Sequence, residues 1–110
     1  MSLNAEFPAQ VKLRIDNKWL ADYSTVDNAY ADCRHLDGTQ DGRQMRPRGI
    51  KIGSHATDTT ATMANVKLVL WDENHAQADV EELAIGVVHP IAVKFVYANG
   101  TTGRNIKIYG

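Results

Sequence analysis

The sequence predicts an all-β protein, either a compact β-sandwich or a partly closed barrel of about six to eight strands. Three observations predict this class. Apolar and polar residues alternate with a period of two in several runs, β-branched and aromatic residues fill these runs, and turn-forming residues separate them. With 110 residues, 44% of them hydrophobic, the chain has the size of one domain over residues 1–110, with residues 1–10 as an N-terminal arm.

Alternation defines each predicted strand. The first run shows it clearly, because Val11, Leu13 and Ile15 alternate with charged residues as in a half-buried strand. The later runs are shorter or have partly apolar second faces, yet they keep the same period. The predicted strands are residues 11–15, 50–52, 66–71, 83–87, 91–97 and 106–109.

The last two runs predict a hairpin of residues 91–97 with residues 104–109. Asn99-Gly100 lies between them, and this pair supplies positive φ angles at low cost. Alternation then places four side chains on one core, since residues two apart share a face of a strand. These side chains are Val93, Phe95, Ile106 and Ile108.

The alternation fails between Asn17 and Arg48. Ser24 or Thr25 is suited to cap a short helix, and a long ordered loop is the equal alternative. Unstructured loops beyond about 12–15 residues are uncommon unless they function or are held by a neighbour, so we expect an irregular, partly helical insertion that makes contacts. Its interface candidates are the large amphipathic side chains Trp19, Tyr23, Tyr30, Met45, Arg46 and Arg48.

Charge and composition exclude several classes of partner. Twelve basic and thirteen acidic residues give a net charge of −1, which argues against nucleic acid or an anionic membrane as partner. No apolar run approaches the length of a membrane span, and the first residues lack the pattern of a secretory signal. The single cysteine, Cys33, excludes an internal disulfide.

The chemical candidates are weak. Cys33, His35 and Asp37 have zinc-ligand chemistry at a spacing of two, yet no second Cys/His pair accompanies them. A hydrolase that pairs Cys33 with a histidine needs a proximity that the sequence does not show, and Gly53-Ser54-His55 lacks the second glycine of a nucleophile elbow. We therefore predict no catalytic, metal or cofactor-binding residue and no enzyme activity.

The C-terminal segment HPIAVKFVYANGTTGRNIKIYG, residues 89–110, carries a resemblance. It resembles the ending of small virion proteins of tailed phages and gene-transfer agents, of the spike-base or capsid-decoration type, and the similarity covers residues 46–110. The residues that carry it are Pro90, Ile91, Val93, Val96, Ala98, Gly100, Thr101, Thr102, Ile106, Ile108 and Tyr109.

The resemblance implies a non-enzymatic phage or prophage structural protein of the capsid or tail. Such a protein forms a homo-oligomer or docks on other virion proteins, and it is located in the virion after assembly in the host cytoplasm. The alternative is a β-sandwich that binds a carbohydrate or another ligand, since Trp19, Tyr23 and Trp71 are able to stack on sugar rings.

Overall fold

The computed structural model describes residues 11–34 and 46–110. Within these ranges the chain forms ten short strands, one α-helix and one 3₁₀ helix. In chain order they are β1 (Val11–Ile15), α1 (Asn17–Asp22), β2 (Tyr30–Asp32), β3 (Gly49–Lys51), β4 (Ser54–His55), β5 (Met63–Leu70), the 3₁₀ helix (His75–Gln77), β6 (Asp79–Ala84), β7 (Val88–His89), β8 (Val93–Tyr97), β9 (Gly103–Arg104) and β10 (Ile106–Tyr109). The expected N-terminal arm, residues 1–10, lies outside the described residues.

Two four-stranded antiparallel sheets build the domain. The first has the strand order β1-β10-β3-β7, and the second has the order β2-β8-β5-β6. A two-stranded sheet of β4 and β9 stands beside them, and one parallel bridge joins Ile52 to Ile85. The predicted all-β class is therefore confirmed.

One apolar cluster, the main core, fills the space between the two sheets. The first sheet contributes alternate residues such as Ile15, Ile106 and Ile108, and the second contributes residues such as Val66 and Val96. These side chains are almost completely buried, because alternation turns them all to the inner faces. The shared core makes the architecture a β-sandwich.

The irregular segment begins with α1, which covers one end of the main core. The Asp16 carboxylate caps this helix by accepting from the Lys18 N–H at 2.8 Å, and Leu20 is completely buried in the core. The expected cap at Ser24 or Thr25 is wrong, because Asp16 at the end of β1 starts the helix earlier and both residues follow its end. The expectation of a partly helical insertion is confirmed for its described part, but the segment also contributes a strand that was not predicted, β2, which pairs with β8.

The predicted hairpin of residues 91–97 with 104–109 is wrong. β8 belongs to the second sheet, whereas β10 lies in the first. The chain does turn at Gly100, with φ +96°, but β9 then pairs with β4 and Asn105, with φ 58°, redirects the chain into β10. The segment between the two runs thus carries the chain from one sheet to the other.

Threonine hydroxyls stabilise this crossing. The backbone N–H of Lys67 donates to the Thr101 hydroxyl at 2.9 Å, and that of Asn65 donates to the Thr102 hydroxyl at 2.9 Å. The Thr101 hydroxyl itself donates to the Tyr97 carbonyl at 2.5 Å. Two donors of β5 are therefore satisfied by side chains, one at Lys67, the last residue paired with β8, and one beyond it at Asn65.

The expectation that Phe95 shares a core with Val93 is also wrong. Val69 pairs with Phe95, but the next residue, Leu70, pairs with Val93, so that Lys94 is an extra residue on β8. Such a bulge shifts the alternation by one position. Val93 consequently faces the main core with Val96, whereas Phe95 faces the outer side of the sheet.

The predicted strand at 83–87 is displaced. β6 starts at Asp79 and ends at Ala84, and Val87, with 52% of its surface exposed, lies in the turn that follows. The first four residues of β6 are exposed, because β6 is an edge strand. Because three of these four residues are charged, a search for alternating apolar residues misses the first part of β6.

Candidate functional surfaces

An outer aromatic cluster lies on the face of the second sheet that points away from the main core. Its members are Tyr30 on β2, Phe95 and Tyr97 on β8, and His75 from the 3₁₀ helix. Phe95 and Tyr97 are 4% and 6% exposed, whereas Tyr30 is 42% exposed. The bulge at Lys94 thus directs large rings to the outer face, where other residues must cover them.

His75 forms part of that cover. Its ring stacks on Phe95 with centroids 4.2 Å apart and planes 4° apart, and its Nδ1 is hydrogen-bonded to the Tyr97 hydroxyl. A reciprocal capping box between Asn74 and Gln77 fixes the 3₁₀ helix that carries it. Burial, and secondarily the nearby Tyr30, raises the pKa of Tyr97 above its ordinary value.

Among the described residues, three cations lie close to rings of the outer aromatic cluster. The Arg34 guanidinium lies 5.0 Å from the Phe95 ring centre, and the Lys67 ammonium lies 5.4 Å from that of Tyr97. Lys94, the bulged residue, has its ammonium 5.8 Å from Phe95. Asp32 holds Arg34 through hydrogen bonds of 2.9 and 2.7 Å. Exposed tyrosine and arginine together are typical of binding surfaces.

The structure places the predicted interface residues in several contacts. Trp19 and Tyr23 on α1 have their rings 5.8 Å apart, with Trp19 half-buried against the main core and Tyr23 43% exposed. Tyr30 belongs to the outer aromatic cluster. Arg46 is exposed, with its guanidinium 5.6 Å from the Trp71 ring centre.

Two further candidates complete the set. Arg48 is exposed at its side chain, and its N–H donates to the Tyr109 carbonyl at 2.7 Å beside β10. Met45 lies outside the described residues.

Two adjoining hollows at the β6 side of the sandwich have an acidic lining. The first, of about 320 Å³, is lined by the carboxylates of Glu73, Asp79 and Glu81 over the apolar side chains of Leu70 and Ile91. The second, of about 370 Å³, shares Leu70, Glu73 and Ile91 with the first. It adds Trp71, Asp72 and Arg46. We call the two hollows together the acidic groove.

Cys33 is completely buried in the main core. Burial, with a smaller contribution from the charge of Asp32, raises the pKa of its thiol. A buried thiol that stays protonated is a poor nucleophile, since the thiolate is the reactive form. Its proposed metal partners, His35 and Asp37, lie outside the described residues, and the residues that are described contain no group of three or more metal-ligating side chains.

Ser54, His55 and Asp58 line a third hollow of about 280 Å³. Their bonding differs from that of a catalytic triad, in which Nδ1–H of the histidine donates to the aspartate. Here Nδ1 of His55 accepts from the backbone N–H groups of Thr57 and Asp58, both at 3.1 Å. The Asp58 carboxylate instead accepts from the Thr60 hydroxyl at 2.7 Å and lies in a turn. The hydrogen bonds that the Asp58 carboxylate accepts from Thr60 lower its pKa, because they stabilise the charged form.

Sequence reasoning missed the outer aromatic cluster and the acidic groove. The sequence did contain a signal for the outer aromatic cluster, because the run from Val93 to Tyr97 has apolar residues on both faces, which both need cover. In the sequence, Glu81-Glu82 does not differ from an ordinary solvated face. Glu73 and Asp79 line the acidic groove only because the fold brings them together at the edge of the sandwich. No local sequence pattern shows this edge.

Comparison of the chain with family models, with curated proteins and with solved structures gave no match. Among the residues described, no helix combines the length and the apolarity needed to cross a bilayer.

Proposed function

We propose that the protein is a non-enzymatic structural component of a phage or prophage virion, of the spike-base or capsid or tail decoration type. It acts by assembling with its own copies or by docking on other virion proteins, and its location is the virion. The observation that carries this proposal is the role in the fold of the C-terminal signature, the segment of residues 89–110 that carries the resemblance.

The signature residues determine how the chain crosses between the sheets. Gly100 has the positive φ of the turn, and Thr101 and Thr102 satisfy donors of β5. The resemblance to virion proteins therefore rests on residues that specify a fold, which supports a common architecture more strongly than matching surface residues would.

The exposed aromatic residues support an assembly role. Tyr23 and Tyr30 each keep more than 40% of their surface accessible, and Arg34 and Arg46 lie over neighbouring rings. Tyrosine, tryptophan and arginine are the residues whose truncation most often weakens protein interfaces. We assign the contact surface to α1 and to the outer aromatic cluster.

Two measurements test the proposal. The first is detection of the protein in purified particles by mass spectrometry, where its absence would refute a virion role. The second compares Tyr23→Ala with Trp19→Ala. Tyr23→Ala is expected to keep the melting temperature while it weakens assembly about tenfold or more, as loss of an interface anchor does. Trp19→Ala is expected to lower the melting temperature as well, because Trp19 packs on the main core.

Ligand binding is the second candidate function, and the Trp71 part of the acidic groove favours it. An indole ring, the Arg46 guanidinium and the carboxylates of Asp72 and Glu73 line one hollow, which combines apolar and polar groups as ligand sites do. A glycan array tests this function. Trp71→Ala should abolish any binding, whereas the matched control Trp19→Ala should not, and an array without hits counts against it.

A further inference from the structure

Two long edge strands of opposite charge lie on this sandwich. Within the described ranges β1 pairs only with β10, and β6 pairs only with β5. They have five and six residues, whereas the other edges, β7 and β2, have two and three. A free strand edge offers unpaired N–H and C=O groups that another chain is able to pair with.

The charges on the two edges are complementary. β1 carries Lys12 and Arg14, and β6 carries Asp79, Glu81 and Glu82. Charged residues on an edge prevent pairing between copies when the facing edges repel each other. Here the edges have opposite signs, so that charge favours the approach of β1 of one copy to β6 of another.

A row of like charges extends from β1 across the first sheet. Arg14 lies opposite Lys107 on β10, and Lys107 lies opposite Lys51 on β3. Like charges directly opposite one another destabilise a sheet. Within the described ranges Lys12, Arg14, Lys51 and Lys107 make no ion pair, so an acidic strand placed beside β1 would relieve this repulsion.

The surroundings of β6 add apolar contact. Val80 is 44% exposed and Leu70, in the acidic groove, is 38% exposed. The groove also places Glu73 beside the acidic residues of β6. β1 meets the charge requirement with Lys12 and Arg14, and its first residue, Val11, lies outside the main core and is available for apolar contact.

The two edges lie at opposite sides of the molecule. β6 leads through Gly86 to β7, which is the edge of the first sheet opposite to β1. A contact between different surfaces of two copies repeats head to tail and closes into a ring or continues as a filament.

We propose that a second copy of this chain pairs its β1 with β6, joining the first sheet of one protomer to the second sheet of the next. This inference rests on the proposed function, because it assumes that the protein assembles, and it names a second copy of the chain as the partner. Addition of a strand to a sheet edge supplies backbone hydrogen bonds, and the alternating side chains supply specificity.

Sedimentation of the full chain over a range of concentrations tests the pairing. The wild-type chain is expected to associate, more weakly at high salt because ionic contacts are screened. The reversals Lys12→Glu with Arg14→Glu, and Glu81→Lys with Glu82→Lys, should each weaken association at least tenfold. An equimolar mixture of the two variants should regain it, since each acidic β1 then meets a basic β6 and each basic β1 meets an acidic β6.

The control places two acidic residues in the exposed turn after β4, Thr57→Glu with Thr59→Glu, which lies on neither edge strand, and this variant should associate like the wild type. Circular dichroism checks that each variant is folded. If a double reversal does not fold, hydrogen exchange of the wild type serves instead, and amides of β1 and β6 should become protected as concentration rises.

A monomeric wild-type chain overturns the pairing, whatever other partner is found on these edges. Variants that associate normally, or a mixture that does not regain association, overturn it equally. These outcomes are distinct from failure of the proposed function. A protein found in virions but monomeric in solution refutes the pairing alone, whereas an associating protein absent from virions refutes the virion role alone.

Discussion

The main core and the outer aromatic cluster are built partly from the same strand, β8, yet they differ in chemistry. The main core takes Val93 and Val96 and is almost entirely aliphatic. The outer cluster takes Phe95 and Tyr97, whose rings are covered by His75 and by cationic side chains. One cluster is sealed between two sheets, and the other is closed by single side chains at the surface.

This difference shows how one extra residue decides which side chains of a strand face each of two clusters. Without the bulge at Lys94, Val93 and Phe95 would lie on the same side. With it, small β-branched residues fill the narrow space between the sheets, and large rings lie where the surface allows them room. The polar tip of Tyr97 also finds a partner in His75 there, as buried tyrosines usually require.

The largest effect is expected from deletion of Val96, a completely buried residue of β8. The deletion turns either the Phe95 ring or the Tyr97 ring into the main core, so the chain should lose cooperative folding. Thermal unfolding followed by circular dichroism measures this. The matched control is deletion of the extra residue Lys94, which leaves Val93 and Phe95 adjacent on opposite faces and should stay folded. A Val96 deletion that melts like the wild type, or a Lys94 deletion that does not fold, would contradict the register assigned to β8.

Truncation of Phe95 should have the next largest effect. Phe95→Ala removes the ring that His75 stacks on and should lower the free energy of unfolding by about 3–5 kcal/mol, as for other buried phenylalanines. Ile108→Val in the main core removes one methylene and should cost about 0.5–1.5 kcal/mol. Denaturant titration measures both values. A Phe95 variant that loses less than the Ile108 variant would show that the outer cluster contributes little to folding.

The smallest effect is expected for Tyr97→Phe, which removes the hydroxyl bound to His75. It should cost about 0.5–1.5 kcal/mol near neutral pH. The pKa of Tyr97 is raised from 10.0 in the folded state, chiefly by burial. The protonated form is therefore favoured on folding, and its contribution is complete below pH 10 and falls as the pH rises through the raised value. Stability measured from pH 8 to 11 should fall less steeply in the variant, and equal slopes would contradict this assignment.

Much of the fold could be predicted from sequence, because alternation is a local property. The strands at residues 11–15 and 106–109 coincide with β1 and β10. The predicted hairpin failed because Asn99-Gly100 specifies a turn but does not determine which sheet the next strand joins. That choice depends on Thr101 and Thr102, whose hydroxyls bond to β5 more than thirty residues away.

The candidate surfaces were less predictable. Trp19, Tyr23 and Tyr30 were identified by their size within an irregular segment, and two of them are more than 40% exposed. His75 was not identified, because its importance comes from stacking on Phe95, twenty positions along the chain. The edge charges also needed the topology, since only the strand order shows that β1 and β6 have no second neighbour within the described ranges.

The pairing of β1 with β10 has a kinetic consequence. These strands lie near opposite ends of the sequence, and most of the chain is synthesised between them. Contacts of such high sequence separation slow folding, because a large loop must close before they stabilise anything. We expect the nascent chain to hold an exposed, unpaired β1 until β10 emerges, so that refolding is slow for a protein of this size and a chaperone that shields apolar segments raises its yield.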